Sequence, residues 1–369
     1  MRQIQAALCH EHSAPLTIET VGLRAPLAGE VEVIIDAVAI CHSDISFWQG
    51  GFGGSLPAVF GHEAAGRIAA VGAGVQGFEV GDDVVVTLIR ACGHCPCCAS
   101  GQPTICETPV DAANSPLHMP DGTPVYQAMD TAAFAERVVV DHSQIAKVPA
   151  DLPKDIAALL ACGVITGVGA AVHAANLRAG QDVVVIGAGG VGLNAIQGAR
   201  IAGARRIIAI DMSEDKLETA LAFGATDGVL ATHMKPWNHV QRILGRGADA
   251  ALVTVGSAAV YDQAPRYLAN GGKVVMVGMP HAGETASYPP LQMAYAGQSL
   301  IGSKMGDVVL NRDIPWLVDL YKQGRLKLDE LISGRWDFTQ INEAIADTLS
   351  GAARRNVILM TPETTTAQD

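Results

Sequence analysis

Within one short loop, RACGHCPCCASGQPTIC, the residues Cys92, Cys95, Cys98 and Cys106 follow the spacing C-x2-C-x2-C-x7-C. Four thiolates this close in sequence can close a tetrahedron around zinc and leave no position for a substrate, so the set reads as a structural zinc site. An iron–sulfur cluster fits less well. The bacterial cluster run places its last cysteine after three residues and follows it with Pro, whereas seven intervene here and Glu107 follows. Cys97, inside the loop, and Cys9, near the N-terminus, read as free thiols. Cys41 and Cys162 lie far apart and far from His62, and spacing alone does not assemble these three.

A second local pattern is Gly187-Ala188-Gly189-Gly190-Val191-Gly192 after the apolar run DVVVI and before the helix candidate LNAIQGARIAG. It fits G-x-G-x-x-G in its proper context. Gly187 allows the tight turn, Gly189 lets backbone N–H groups approach a pyrophosphate, and Gly192 permits close packing of helix on strand. Asp211 ends the next apolar run, RIIAID, where a carboxylate accepts from ribose hydroxyls and repels a 2′-phosphate, which selects NAD over NADP.

The elements that must carry these residues fall into two kinds. From Val31 to Val86 short β-segments (EVEVIIDAV, GRIAAVG, DDVVVT) alternate with Gly-rich turns. After about residue 155 nearly continuous apolar strands (DVVVI, RIIAID, ADAALVTVG, GKVVMVG, SLIGS) alternate with helical stretches, which predicts a doubly wound parallel sheet covered on both faces. A mixed pattern returns after Gly306, so the β-type domain is expected to be discontinuous: 1–155 with 306–369, around a cofactor domain at 156–305. The polar TPETTTAQD reads as a tail.

With 369 residues, 49% of them hydrophobic, and 40 glycines, the chain suits a two-domain α/β enzyme. Its formal charge of −12, without a Lys/Arg run, argues against nucleic acid and anionic membrane as partners. No run reads as reaching the roughly 18 apolar residues of a membrane helix, and MRQIQAALCH lacks a secretory h-region, so a cytoplasmic location is expected.

These residues resemble the zinc-dependent medium-chain dehydrogenase/reductase family, in its two-zinc alcohol dehydrogenase type. The likeness runs along essentially the whole chain and is carried by Cys41-His42-Ser43-Asp44, Gly61-His62-Glu63, the four-cysteine loop, Ala161-Cys162-Gly163 and the glycine loop with Asp211. It implies a partly open chaperonin-10-like β domain followed by a Rossmann domain, with the active site in the cleft between them. It further implies that Cys41, His62 and Cys162 hold a catalytic zinc with an open fourth position, giving two zincs per chain. Zinc then polarises an alcohol or carbonyl oxygen while hydride passes to or from the nicotinamide.

By the same resemblance Ser43 relays the substrate proton, Asp44 orients His62, and Glu63 sits behind the zinc. His42 and Arg355 are expected at the cofactor pyrophosphate, Lys216 near the adenosine ribose, and Val191 and Thr166 behind the nicotinamide. Leu88 occupies a pocket-lining position where relatives often place an aromatic. Many members carry a His three residues after the relay hydroxyl; here it is Ser46, which leaves proton release to water or His42.

The expected function is a zinc- and NAD-dependent alcohol dehydrogenase acting on a small primary or secondary alcohol, with aryl and allylic alcohols included. A thiol-dependent formaldehyde dehydrogenase shares this layout but needs cations for an anionic thiol. A non-catalytic NAD-binding protein is the reading from another class, and it is disfavoured by the intact Cys41, Ser43, His62 and Cys162. A homodimer through the SLIGS edge strand is expected, with a homotetramer as the larger possibility.

Overall fold

Runs rich in Val, Ile and Ala form the sheets of this computed structural model, which describes residues 1–110 and 114–360. The polar stretch read as a tail, 361–369, lies outside them. The chain divides into two compact units: Met1–Cys98 with Cys106–Cys162 and the chain from Leu328 onward, and Ala99–Ile105 with Gly163–Lys327.

The first unit is mainly β. Its larger sheet runs in the order Ile145–Lys147, Asp83–Val86, Glu63–Val71, Glu30–Ala39, Arg355–Leu359, Ile332–Asp337, and Arg137–Asp141 also pairs with Glu30–Ala39. Its second sheet has five strands, centred on Arg2–Cys9. The register of the larger sheet matters for chemistry. Ala39 pairs with Glu63 on one side and with Val357 on the other, so the chain segments bearing Cys41, His62 and Arg355 converge at one end of the same three strands.

In the second unit six strands pair in parallel in the order Asp227–Leu230, Arg206–Asp211, Asp182–Ile186, Ala248–Val253, Leu268–Met276, Ser299–Gly302. This is the doubly wound Rossmann arrangement expected from the alternation of strand and helix. Asp182–Ile186, the central strand, is buried at every residue, as a strand covered on both faces must be.

Three expectations are corrected. Apart from the short excursion Ala99–Ile105, the chain stays in the first unit up to Cys162, not 155, because the helix Lys154–Leu159 packs on strands Glu30–Ala39 and Glu63–Val71 of that unit. The return comes at Leu328, not 306, because the helix Leu310–Lys322 packs on the helix Ile165–Gly169 and buries Ile314, Leu317, Val318 and Leu320. Finally, the helical run Lys154–Ala174 is, by its 21 residues and mean hydropathy of 2.0, long and apolar enough to cross a membrane. It does so on composition alone: 89% of its apolar window is buried inside the protein, which makes it a core helix.

Candidate functional site

Cys41 follows the strand Glu30–Ala39 and caps the short helix His42–Trp48 in extended conformation. The third residue of that helix, Asp44, is buried and turns its carboxylate back. One oxygen accepts the Cys41 N–H at 3.0 Å; the other accepts the Gly61 N–H at 2.8 Å and lies 3.0 Å from His62 Nδ1. Gly61 has φ +93°, and a Cβ there would sit 2.6 Å from the Phe134 nitrogen, so only glycine lets the chain turn into His62. With Nδ1 given to Asp44, the imidazole presents Nε2, which is fully buried and has no hydrogen-bond partner.

Cys162 arrives from a π-helical turn, Leu160–Val164, inserted in the long core helix. Such a turn adds a residue to the helical repeat and re-aims the side chain it carries. The donor atoms of Cys41, His62, Cys162 and Glu63 all lie within 4.8 Å of one another. Two sulfurs, an imidazole nitrogen with no other partner, and near-complete burial fit zinc: two soft ligands, one borderline ligand, and a position left over. A Glu63 carboxylate oxygen joins this group; its Oε1 has no hydrogen-bond partner, while Oε2 is bound by Arg355.

The electrostatics follow from crowding. The hydrogen bond from Cys162 holds the Cys41 thiol well below its usual range, and the same contact with burial holds Cys162 well above it. Burial pulls the His62 imidazole down, but Asp44 and Cys41 overbalance it and raise it well above its usual value. Glu63, fully buried, is pushed up to about 7 by desolvation, with Arg355 opposing. Arg355, expected from the resemblance at the cofactor phosphates, is itself buried and ion-paired with Glu63 behind the donor atoms.

The second donor set is local. Cys92, Cys95, Cys98 and Cys106 bring their sulfurs within 4.8 Å of one another, and none is in a disulfide. Backbone N–H groups of Cys92, Cys95 and Cys98 point at sulfurs of Cys106, Cys92 and Cys95 at 3.2 to 3.4 Å, the arrangement that favours thiolates. The Thr108 hydroxyl, with backbone N–H groups, lowers Cys92 to about 5. Cys97 stands outside this set, and Cys9 is a buried thiol donating to the Glu11 carbonyl.

In the second unit the glycine loop takes the form its spacing requires. Gly187 has φ +98°, and a Cβ on Gly192 would lie 1.8 Å from the Gly187 carbonyl oxygen. Around Gly189, which caps the helix Gly190–Ile201, a Cβ would meet nothing within 4 Å, so the backbone faces open space at a helix N-terminus. Asp211 braces the loop by accepting the Ala188 N–H at 2.8 Å and the Ser213 N–H at 3.1 Å, and Lys216 lies half-buried in the helix Glu214–Ala222. Thr166 and Val191 lie on helices that pack closely: a Cβ on Gly167 would stand 2.4 Å from the Val191 carbonyl oxygen.

Three features escaped sequence reading: the π turn under Cys162, the Asp44 bonds to backbone, and Thr254, whose hydroxyl donates to the Ile186 and Gly187 carbonyls at 3.0 Å. A hydroxyl residue next to an apolar strand was the available signal for the last. Of the remaining expected residues, His42 is exposed, and Ser43, Ser46 and Leu88 are half-buried.

Comparison with known proteins agrees with this chemistry. The family model described as "Alcohol dehydrogenase GroES-like domain" matches residues 27–150, and "Zinc-binding dehydrogenase" matches 190–323. The S-(hydroxymethyl)glutathione dehydrogenase of Saccharomyces cerevisiae is 34% identical over 369 residues, covering 96% of this chain and 95% of its own. Among solved structures, an alcohol dehydrogenase zinc-binding domain protein from Burkholderia ambifaria is 34% identical with a TM-score of 0.93, covering 98% of this chain and 99% of its own. Benzyl alcohol dehydrogenase from Acinetobacter calcoaceticus is 30% identical with a TM-score of 0.91, covering 98% and 100%.

Proposed function

Because the chain belongs to the zinc-dependent medium-chain dehydrogenase family, we propose that it is a zinc- and NAD-dependent alcohol dehydrogenase that interconverts a small primary or secondary alcohol and its carbonyl product. One observation carries the reading: Cys41, His62 and Cys162 are assembled in a buried site with His62 Nε2 turned inward and unpartnered. Three protein donors, not four, are what an enzyme needs if a substrate oxygen is to enter. Bound there, zinc supplies a Lewis acid that favours loss of the alcohol proton, and NAD supplies the hydride acceptor.

The chain's own residues supply the rest. Asp44 fixes the His62 tautomer and ring orientation through Nδ1. Ser43, two residues after Cys41, accepts the substrate proton and passes it outward, with water or exposed His42 completing the path in place of the His that many family members carry at the position of Ser46. Glu63 and Arg355 set the charge behind the donors. Gly187, Gly189, Gly190, Val191 and Gly192 receive the pyrophosphate at the helix end, Asp211 takes the ribose hydroxyls with Lys216 beside it, and Thr166 supports the nicotinamide. Leu88 lines the substrate pocket. The Cys92, Cys95, Cys98 and Cys106 set holds a second zinc that stabilises its loop.

A second reading, oxidation of the formaldehyde–thiol adduct, is favoured by the 34% identity to an S-(hydroxymethyl)glutathione dehydrogenase. The proposal extends to a homodimer with a cytoplasmic location, where thiolate ligands stay reduced. The edge strand Ser299–Gly302 follows a helix whose Leu291 and Tyr295 are 83% and 92% exposed, apolar surface that a second copy would cover. Light scattering at micromolar concentration is expected to give twice the chain mass; a monomer would contradict the dimer.

The enzymatic reading is tested by following NADH absorbance with zinc-analysed protein across primary, secondary, benzylic and allylic alcohols, and formaldehyde with glutathione, with NADP beside NAD. Turnover of a free alcohol with NAD supports the first reading. Turnover of the formaldehyde–thiol mixture alone replaces it with the second.

A further inference from the structure

The two units differ sharply in charge. The first, which holds the Cys41, His62 and Cys162 donors, carries 10 Lys and Arg against 25 Asp and Glu, a formal −15; the second carries 15 against 12, a formal +3. The acidic excess of the first unit is not offset by cations at liberty to bind a substrate. Nine of its 10 Lys and Arg side chains are in ion pairs with carboxylates. The cation nearest the donor atoms, Arg355, is buried against Glu63. Beside those atoms stand two carboxylates, Asp44 against His62 and Glu63 against Arg355, so the one guanidinium there is already paired.

Resting on the dehydrogenase reading above, we infer that the first unit selects substrates by charge: alcohols that are neutral or cationic are accepted, and alcohols carrying a carboxylate are rejected. Two physical effects act in the same direction. A like-signed surface lowers the local concentration of an anion and slows its encounter. Within the site a carboxylate would lose water without gaining a cationic partner, because the guanidinium that could serve is already committed. Carboxylate-bearing thiol adducts of formaldehyde fall in the rejected class.

The test compares the holoenzyme's kcat/KM, at saturating NAD and pH 8, for benzyl alcohol, 4-(hydroxymethyl)benzoate, 4-(hydroxymethyl)benzamide and 4-(aminomethyl)benzyl alcohol. 1-Propanol, 3-hydroxypropanoate and 3-aminopropan-1-ol serve as an aliphatic series. Each is measured at low and at high NaCl. At low salt the carboxylates are expected about tenfold or more below their neutral parents. The benzamide, of the same shape as the benzoate, stays near benzyl alcohol, the amines match or exceed the parents, and the carboxylate gap narrows as salt shortens the screening length. Carboxylates turned over as well as the neutral alcohols at low salt, or a benzamide as poor as the benzoate, overturns charge selection and leaves the dehydrogenase reading standing. No turnover of any alcohol by fully zinc-loaded, NAD-binding protein contradicts the dehydrogenase reading itself, and the inference falls with it.

Discussion

The two donor sets use the same sulfur chemistry in opposite ways. Cys92, Cys95, Cys98 and Cys106 come from one loop, are partly exposed except for buried Cys95, and offer four sulfurs; Cys41, His62 and Cys162 come from three distant segments, are buried, and offer two sulfurs and an imidazole nitrogen with Glu63 alongside. A set contributed by one loop needs only that loop to form, and metal binding there is folding energy for the loop. A set contributed by a strand end, a strand start and a π turn exists only after the first unit has folded, so its geometry is imposed on the metal and a position can be withheld for substrate. On the proposed reading the local set stabilises and the assembled set reacts.

The sharpest way to break this contrast is to remove one sulfur from each. Cys162→Ser should lower kcat/KM about a thousandfold or more, because several kcal/mol of charge stabilisation depend on the metal it helps to hold. Its Tm should change little. Cys95→Ser should do the reverse, with a clear drop in Tm and near-normal turnover per folded molecule. Equal effects of the two variants on both quantities would erase the distinction.

Smaller changes sharpen it. Asp44→Asn keeps the shape but weakens the hold on His62, and zinc affinity or kcat/KM should fall about 10- to 100-fold. Unchanged zinc affinity and rate would remove Asp44 from the account. In the other unit, Asp211→Gly should narrow the preference for NAD over NADP, read as a ratio of kcat/KM values, by about a hundredfold, since a like-charged contact with the 2′-phosphate costs several kcal/mol. An unaltered ratio would place cofactor choice elsewhere. Thr254→Val removes two hydrogen bonds that brace the Gly187 turn, and KM for NAD should rise about three- to tenfold at unchanged kcat. A fall in kcat with KM constant would show that the hydroxyl serves something other than the loop.

What sequence reveals follows the same division. The four-cysteine loop and the Gly187–Gly192 turn were legible because each is a local pattern whose spacing already contains its geometry. Cys41, His62 and Cys162 were legible only through resemblance, since their meeting depends on the Ala39 to Glu63 register and on a π turn that no residue in LACGV announces. The strand Asp227–Leu230 was missed because an edge strand with Asp and Gly lacks the continuous apolar run of the central ones. The apolar length of the helix Lys154–Ala174 was underestimated because Gly163, Thr166, Gly167 and Gly169 interrupt its run, although a core helix covered on all sides is as apolar as one that spans a bilayer. The ion pair of Arg355 with Glu63 was not legible because the two residues lie far apart in sequence and meet only through the register of the larger sheet.

Zinc counted by atomic absorption in the parent protein and in His62→Ala, with NADH formation from the best alcohol followed on the same samples, bears most directly on the claim that the assembled set is the reactive one. Two zincs per chain in the parent, one in His62→Ala, and loss of turnover with an intact fold are the expected result. Two zincs or undiminished turnover in His62→Ala would contradict it.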